Sequence, residues 1–225
     1  MAELQIEQRI AGLVAIAKEV KVCPKCPLAE GRTNAVPGAG PANAEIMFIG
    51  EGPGQNEDEK GLPFVGASGR FLEELLASIG MTRREAFITN VVKCRPPGNR
   101  DPQPDEVLTC TQNYLYKQIE LVNPKVIATL GRYSMALFLP GAKISAIHGQ
   151  PKFADGRAYL PMFHPAAVLR NPGLRGEAFA DFAKLPGLVA EIKQRGETTS
   201  TPIPLTKSNT PDDPPKNSPE QLSLF

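Results

Sequence analysis

At 225 residues the chain is long enough for one sizeable core, with length to spare. Hydrophobic residues make up 41% and charged residues 22%, ordinary for a globular protein, and no run approaches the roughly 18 apolar residues that span a bilayer. The net charge of +1 hides a split, because residues 196–225 set two lysines against Glu197, Asp212, Asp213 and Glu220 and leave the remainder at +3. Such a balance permits nucleic-acid binding without demanding it.

Leu4, Ile6, Ile10, Leu13, Val14 and Ala17 recur at near-helical spacing, which predicts a helix over residues 3–20. This segment lacks the basic start, unbroken apolar stretch and small-residue cleavage site of a signal peptide, so a cytoplasmic location with reduced thiols is expected. A loop rich in Cys, Pro and Gly follows to about residue 43. Glu45 to Ile49 then reads as a buried strand ending at Gly50. A helix over 67–80 stops at Gly80, and Ala86 to Val92 is a second strand. Pro104, with Asp105 and Glu106 behind it, opens a helix over 104–122. Lys125 to Leu130 is a third strand, followed after Gly131 by a helix to about 138. Ala158 to Phe163 is a fourth strand, weakened by Pro161. A last helix covers roughly 175–194.

Strands alternating with helices argue for a parallel sheet covered on both faces, with ligands beyond the strand C-termini. That rule directs attention to Gly50-Glu51, Asn90 and His164. From Gly196 onward six prolines and many Ser, Thr, Asn and Asp leave little to bury, so residues 196–225 are expected to form a disordered tail.

Four cysteines occur: Cys23-x2-Cys26, then Cys94 and Cys110 with fifteen residues between them. Disulfides are not expected in a reducing compartment. Two residues between Cys23 and Cys26 let both thiolates reach one centre. Three readings stay open on spacing alone: an iron–sulfur cluster, a structural zinc, or unligated core cysteines.

Gly50-Glu51-Gly52-Pro53-Gly54-Gln55-Asn56-Glu57-Asp58 directly follows a strand, and its glycines allow close approach of a ligand to the backbone. It is neither a Walker loop nor a dinucleotide fingerprint; a plain acidic loop is the competing reading. Phe64, bracketed by Pro63 and Gly66, suits packing or a base-stacking platform. Asn90 ends the second strand, where its amide could read the mixed donor and acceptor edge of a pyrimidine or merely cap a turn. His164 stands at a strand end before a proline-started helix; His148 reads as structural.

These residues carry a family pattern. GEGPGQNEDEKGLPFVGASGRFLEELL at 50–76, FITNVVKCRPPGNRDPQPDE at 87–106, HPAAVLRNP at 164–172 and the ordered cysteines resemble the family 4 uracil-DNA glycosylases. The resemblance covers roughly residues 10–190. It implies an α/β fold, a three-layer α/β/α sandwich with a four-stranded parallel sheet, occupying residues 1–195. It implies a 4Fe–4S cluster on Cys23, Cys26, Cys94 and Cys110. It also implies an enzyme that flips uracil from single- or double-stranded DNA and hydrolyses its N-glycosidic bond to start base excision repair. In that scheme Phe64 stacks on the base, Asn90 bonds its edge and His164 donates where leaving-group charge develops. Glu51 and Gly52 lie against the base, and Glu51 or Glu57 supplies the carboxylate near the sugar. Leu169 and Arg170, in the loop after His164, fill the vacated gap and hold phosphate, with Arg83, Arg84, Lys93, Arg95 and Arg100 as further backbone contacts.

Two features separate the chain from relatives of that pattern. Gly52 stands where family 1 enzymes carry a water-activating Asp. The CRPPGNRDP stretch lacks the inserted loop and reactive His of a branch that is trapped covalently on DNA, so ordinary turnover is expected. The last residues, Gln221, Leu222, Ser223, Leu224 and Phe225, are similar to the short peptide by which bacterial repair proteins dock on the sliding clamp. A monomer is expected, with no membrane partner. The rival reading is a non-catalytic iron–sulfur DNA-binding or replication-accessory protein; joint presence of Phe64, Asn90 and His164 argues against it.

Overall fold

The computed structural model describes residues 5–195, so the C-terminal Gln221, Leu222, Leu224 and Phe225 lie outside the described residues. Five strands form one sheet: β1 (Ile46–Gly50), β2 (Phe87–Asn90), β3 (Val126–Leu130), β4 (Lys152–Ala154) and β5 (Arg157–Met162). Their order is β2-β1-β3-β5-β4. The β1–β2, β1–β3 and β3–β5 pairings are parallel, and β4 joins β5 antiparallel at the edge.

The expected four-stranded parallel sheet is therefore one strand short. The missing strand belongs to a hairpin turned by Asp155 (φ 52°) and Gly156 (φ 71°), both in the left-handed region that two-residue hairpin loops require. Lys152 and Phe153 of β4 are exposed, which is why no apolar alternation announced it. Pro161 sits in β5 without disrupting the sheet. Its carbonyl accepts from Gly149 N (2.7 Å), so its missing N–H also faces away from β3, beyond the end of β4.

Alternate strand residues feed two cores. Ile46, Phe48, Val126, Ala128, Leu130, Leu160 and Met162 pack on one side with α3 (Ala67–Ser78), α9 (Arg175–Phe182) and α10 (Leu185–Arg195). Met47, Ile49, Ile127 and Tyr159 pack on the other with α1 (Ile6–Lys21), α4 (Pro104–Cys110) and α5 (Tyr116–Val122). Helices on both faces give the three-layer sandwich.

The predicted helix over 104–122 is interrupted by a π-helical turn at Thr111–Leu115, immediately after Cys110. The last predicted helix splits into α9 and α10. Two short helices were not anticipated: α2 (Gln55–Lys60), inside the glycine-rich segment, and α7 (Ile144–Ile147). The remaining helices are α6 (Arg132–Ala136), after β3, and α8 (Pro165–Arg170), after β5. Among the described residues no helix is long and apolar enough to cross a membrane.

Candidate active site

The C-terminal tips of β1, β2, β3 and β5 open on one cleft of about 740 Å³, lined among others by Glu51, Gly52, Phe64, Asn90, His164 and Arg170. Gly50 and Asn90 are register partners across β1 and β2. A Cβ on Gly50 would collide with Asn90 Oδ1 and stand 2.7 Å from Phe64 Cζ, so glycine here is what lets the amide and the ring meet. The Phe64 and His164 rings lie 5.7 Å apart, tilted by 31°. Asn90 is buried, and its Oδ1 has no hydrogen-bond partner. An orphan acceptor buried at a cleft wall is costly, and a ligand N–H would relieve that cost.

His164 caps α8. Its Nδ1 accepts from Ala166 N at 3.1 Å. Burial, with the Arg170 charge adding to it, holds the imidazole down to about 4, so the ring is neutral at pH 7. In a neutral ring whose Nδ1 accepts, Nε2 carries the proton. Nε2–H is thus the group offered to a ligand.

The two candidate carboxylates part company. Glu57 is spent on the backbone: Oε1 accepts from Val65 N and Gly66 N, both at 2.8 Å, and Oε2 accepts from Gly54 N at 3.1 Å. Glu51 is half-buried on the cleft wall, and no group among the described residues hydrogen-bonds its carboxylate. Burial and then the Asp101 charge push its carboxyl up, opposed by Arg132 and Arg170. Of the pair, Glu51 is the one free to meet a ligand. Gly52 lies against Val92: a Cβ there would sit 2.8 Å from Val92 Cγ2, so a longer side chain has to move that valine.

The expected phosphate contacts are mostly committed elsewhere. Arg83 donates to the Pro63 and Phe64 carbonyls and to Glu73. Arg100 forms a two-pronged pair with buried Glu106 (2.7 and 2.9 Å), whose carboxylate also caps α4. Lys93 is 1% exposed, with Nζ bonded to Thr89 Oγ1 (2.6 Å), the Asn90 carbonyl (2.7 Å) and Gln118 Oε1 (2.8 Å), and burial draws its ammonium down to about 8. A cation bonded three ways inside the fold cannot reach a phosphate. Arg84 is exposed, and Arg95 holds Asn99 Oδ1 at 2.7 Å. Arg170 does line the cleft, and exposed Leu169 precedes it; both lie within α8 rather than in a loop.

Sequence reasoning missed the β3 tip. Gly131 (φ 90°) turns the chain there, and Arg132 enters the cleft wall paired with Asp101 and stacked on Tyr133 at 4.8 Å. A strand-end glycine followed by arginine was the available signal.

The four cysteines line a second, small cavity together with Arg32, Lys93 and Tyr114. Cys23 and Cys26 follow α1, Cys94 follows β2, and Cys110 ends α4 at the π turn. Arg32 donates to the Cys23 carbonyl (2.7 Å) and Cys94 Sγ (3.2 Å), and Lys93 N donates to Cys110 Sγ (3.3 Å). Burial pushes the thiols of Cys26 and Cys94 up, and that of Cys110 to about 11. Among the described residues no three metal-ligating side chains converge on a single-ion position.

A family model for the uracil DNA glycosylase superfamily matches residues 37–185, and the chain belongs to that superfamily. Within it the chain is similar to Type-4 uracil-DNA glycosylases. It is 45% identical over 192 residues to that of Sulfurisphaera tokodaii, covering 81% of this chain and 87% of the relative. To that of Archaeoglobus fulgidus it is 46% identical over 179 residues, covering 76% and 89%. To that of Saccharolobus solfataricus it is 48% identical over 182 residues, covering 76% and 83%.

Proposed function

We propose that this chain is a uracil-DNA glycosylase that takes a uracil turned out of DNA into the strand-tip cleft and hydrolyses its N-glycosidic bond. The observation that carries this reading is a phenyl ring and an unpartnered amide oxygen meeting at Gly50, with an imidazole 5.7 Å from that ring whose Nδ1 accepts and whose Nε2 is left to donate.

Uracil presents an N3–H donor beside the O4 acceptor. Asn90 Oδ1 accepts from N3–H while its Nδ2 donates to O4, and the Phe64 ring covers the base face. Cytosine carries the opposite pattern, an amine beside a bare nitrogen, which a fixed amide rejects. Unstacking the base costs a few kcal/mol, least for mismatched or single-stranded uracil.

As the C1′–N1 bond breaks, its electron pair moves into the pyrimidine and charge grows on O2. His164 Nε2–H donates there, and one such preorganised donor is worth about 3–4 kcal/mol. The sugar meanwhile gains positive charge, which the open carboxylate of Glu51 favours. Water adds to C1′ and releases a proton, leaving free uracil and an abasic site. Glu57, already saturated by three backbone N–H groups, is assigned to holding the Phe64 loop. Arg170, in the cleft lining, and exposed Leu169 beside it meet the duplex.

The cysteine cavity fits a 4Fe–4S cluster on Cys23, Cys26, Cys94 and Cys110. All four cysteines line this one small cavity, which brings together the four thiolate donors that such a cluster takes. Cys23, Cys26, Cys94 and Cys110 would hold it through their thiolates, and the bound iron would thereby cross-link the end of α1, the exit of β2 and the end of α4.

The test is incubation with uracil-containing and thymine-containing oligonucleotides, followed by alkali cleavage of abasic sites. Product from the uracil strand alone is expected; product from neither would overturn the enzymatic reading.

A further inference from the structure

Phe64 holds φ at 52°, a left-handed conformation that a bulky side chain rarely adopts and that persists only where its surroundings over-determine it. Three groups grip this one peptide. Glu57 Oε1 takes the N–H groups of Val65 and Gly66, both at 2.8 Å, just past the ring. Gly69 of α3 is pressed so close that a Cβ would collide with the Phe64 carbonyl. Arg83 Nη2 donates to the Pro63 carbonyl at 2.7 Å, and Nη1 donates to the Phe64 carbonyl at 3.0 Å.

Arg83 comes from the turn between α3 and β2, nineteen residues after Phe64. It is not part of the cleft lining, and Glu73 Oε1 holds its Nη1 at 3.0 Å. Two adjacent carbonyls point at one planar fork, a geometry that guanidinium matches and an ammonium does not.

We propose that Arg83 is a positioning residue: it fixes the Pro63 and Phe64 carbonyls so that the strained Phe64 backbone aims its ring at the base pocket. The inference rests on the reading of Phe64 as the platform for uracil. It departs from the expectation that Arg83 contacts DNA phosphate.

Free uracil probes the pocket without DNA, so inhibition by uracil is measured for wild type, Arg83→Ala, Arg83→Lys, Phe64→Ala and the Arg83→Ala/Phe64→Ala double variant. Affinity for uracil-free duplex is followed against salt in parallel. Arg83→Ala is expected to weaken uracil inhibition about tenfold, the scale of a lost charged hydrogen bond. Duplex affinity and its salt slope should stay unchanged. Arg83→Lys, which can reach one carbonyl, should recover part of the loss. In the Phe64→Ala background Arg83→Ala should have no further effect.

Independent, additive losses, or unchanged uracil inhibition in Arg83→Ala, would overturn the proposal. So would a salt slope reduced by about one, the signature of a phosphate contact. Should Arg83→Ala fail to fold, the Arg83→Lys comparison decides alone: wild-type uracil inhibition in that variant would contradict the role. A wild-type protein with no activity on uracil-DNA would instead sink the glycosylase reading, so the two failures are distinguishable.

Discussion

The strand-tip cleft and the four-cysteine cavity are built on opposite plans. In the cleft, polar groups are left open: Asn90 Oδ1 has no partner, Glu51 accepts no hydrogen bond from the described residues, and His164 keeps only Nδ1 engaged. Around the cysteines the polar neighbours are tied, with Arg32 on Cys94 Sγ and the Lys93 backbone on Cys110 Sγ. Open groups suit a guest that comes and goes; tied groups suit one that stays. The two regions are also joined. Lys93 gives its backbone N–H to Cys110 and its ammonium to the Asn90 carbonyl, so the stretch between Asn90 and Cys94 serves both.

That contrast predicts opposite costs. Asn90→Ala should produce the largest loss of activity, about 10²–10³-fold, the cost of removing one preorganised group. Its melting temperature should hold or rise, because the change deletes an unsatisfied buried atom. A clear drop in melting temperature would show that Asn90 is structural and erase the difference between the regions.

Cys110→Ala should do the reverse. Iron content and visible absorbance are lost, and stability falls first; losing even about 3 kcal/mol would lower the melting point by roughly 6–12 °C in a chain of this size. Activity should fall as a consequence, through the Lys93 link. A stable, iron-loaded Cys110→Ala protein would contradict the assignment of that ligand.

The smallest effect is in the pH profile. Burial raises the Glu51 carboxyl, so its charge disappears at a higher pH than an ordinary glutamate's as the solution is acidified. Activity should therefore decline on the acid side as Glu51 gains its proton, and Glu51→Gln should flatten that limb. His164, held near 4, stays neutral through the same range and gives no break near 6.5. The sign for stability follows from the same value. Between pH 6.5 and about 4 the unfolded histidine takes a proton that the folded one refuses, so stability falls as pH drops through that window. His164→Asn should remove that part of the slope; an unchanged slope would place the ring's titration at its ordinary value.

Much of this was legible in the chain itself. Four strands and their order of appearance follow from apolar runs, with Gly50 and His164 standing just past the ends of two of them, because strand periodicity is local. The second run continues to Val92, and the fold ends β2 at Asn90. The fifth strand was signalled by Asp155-Gly156 and overlooked for want of alternation in Lys152 and Phe153. Other features have no local sign. Glu57 looks like any acidic loop residue until Val65 and Gly66 fold back onto it. Lys93 and Arg83 look like cations facing DNA, yet tertiary contacts bury one and lock the other onto carbonyls. Charge in sequence does not reveal which partner a long side chain finds.

The central claim is that the unpartnered Asn90 oxygen waits for a base N–H. It is tested most directly by comparing inhibition by free uracil with inhibition by 3-methyluracil, which lacks that hydrogen. Uracil should inhibit the wild-type protein at least about tenfold more strongly, as one buried hydrogen bond requires, and the preference should vanish in Asn90→Ala. Equal inhibition of the wild type by the two compounds would contradict the account.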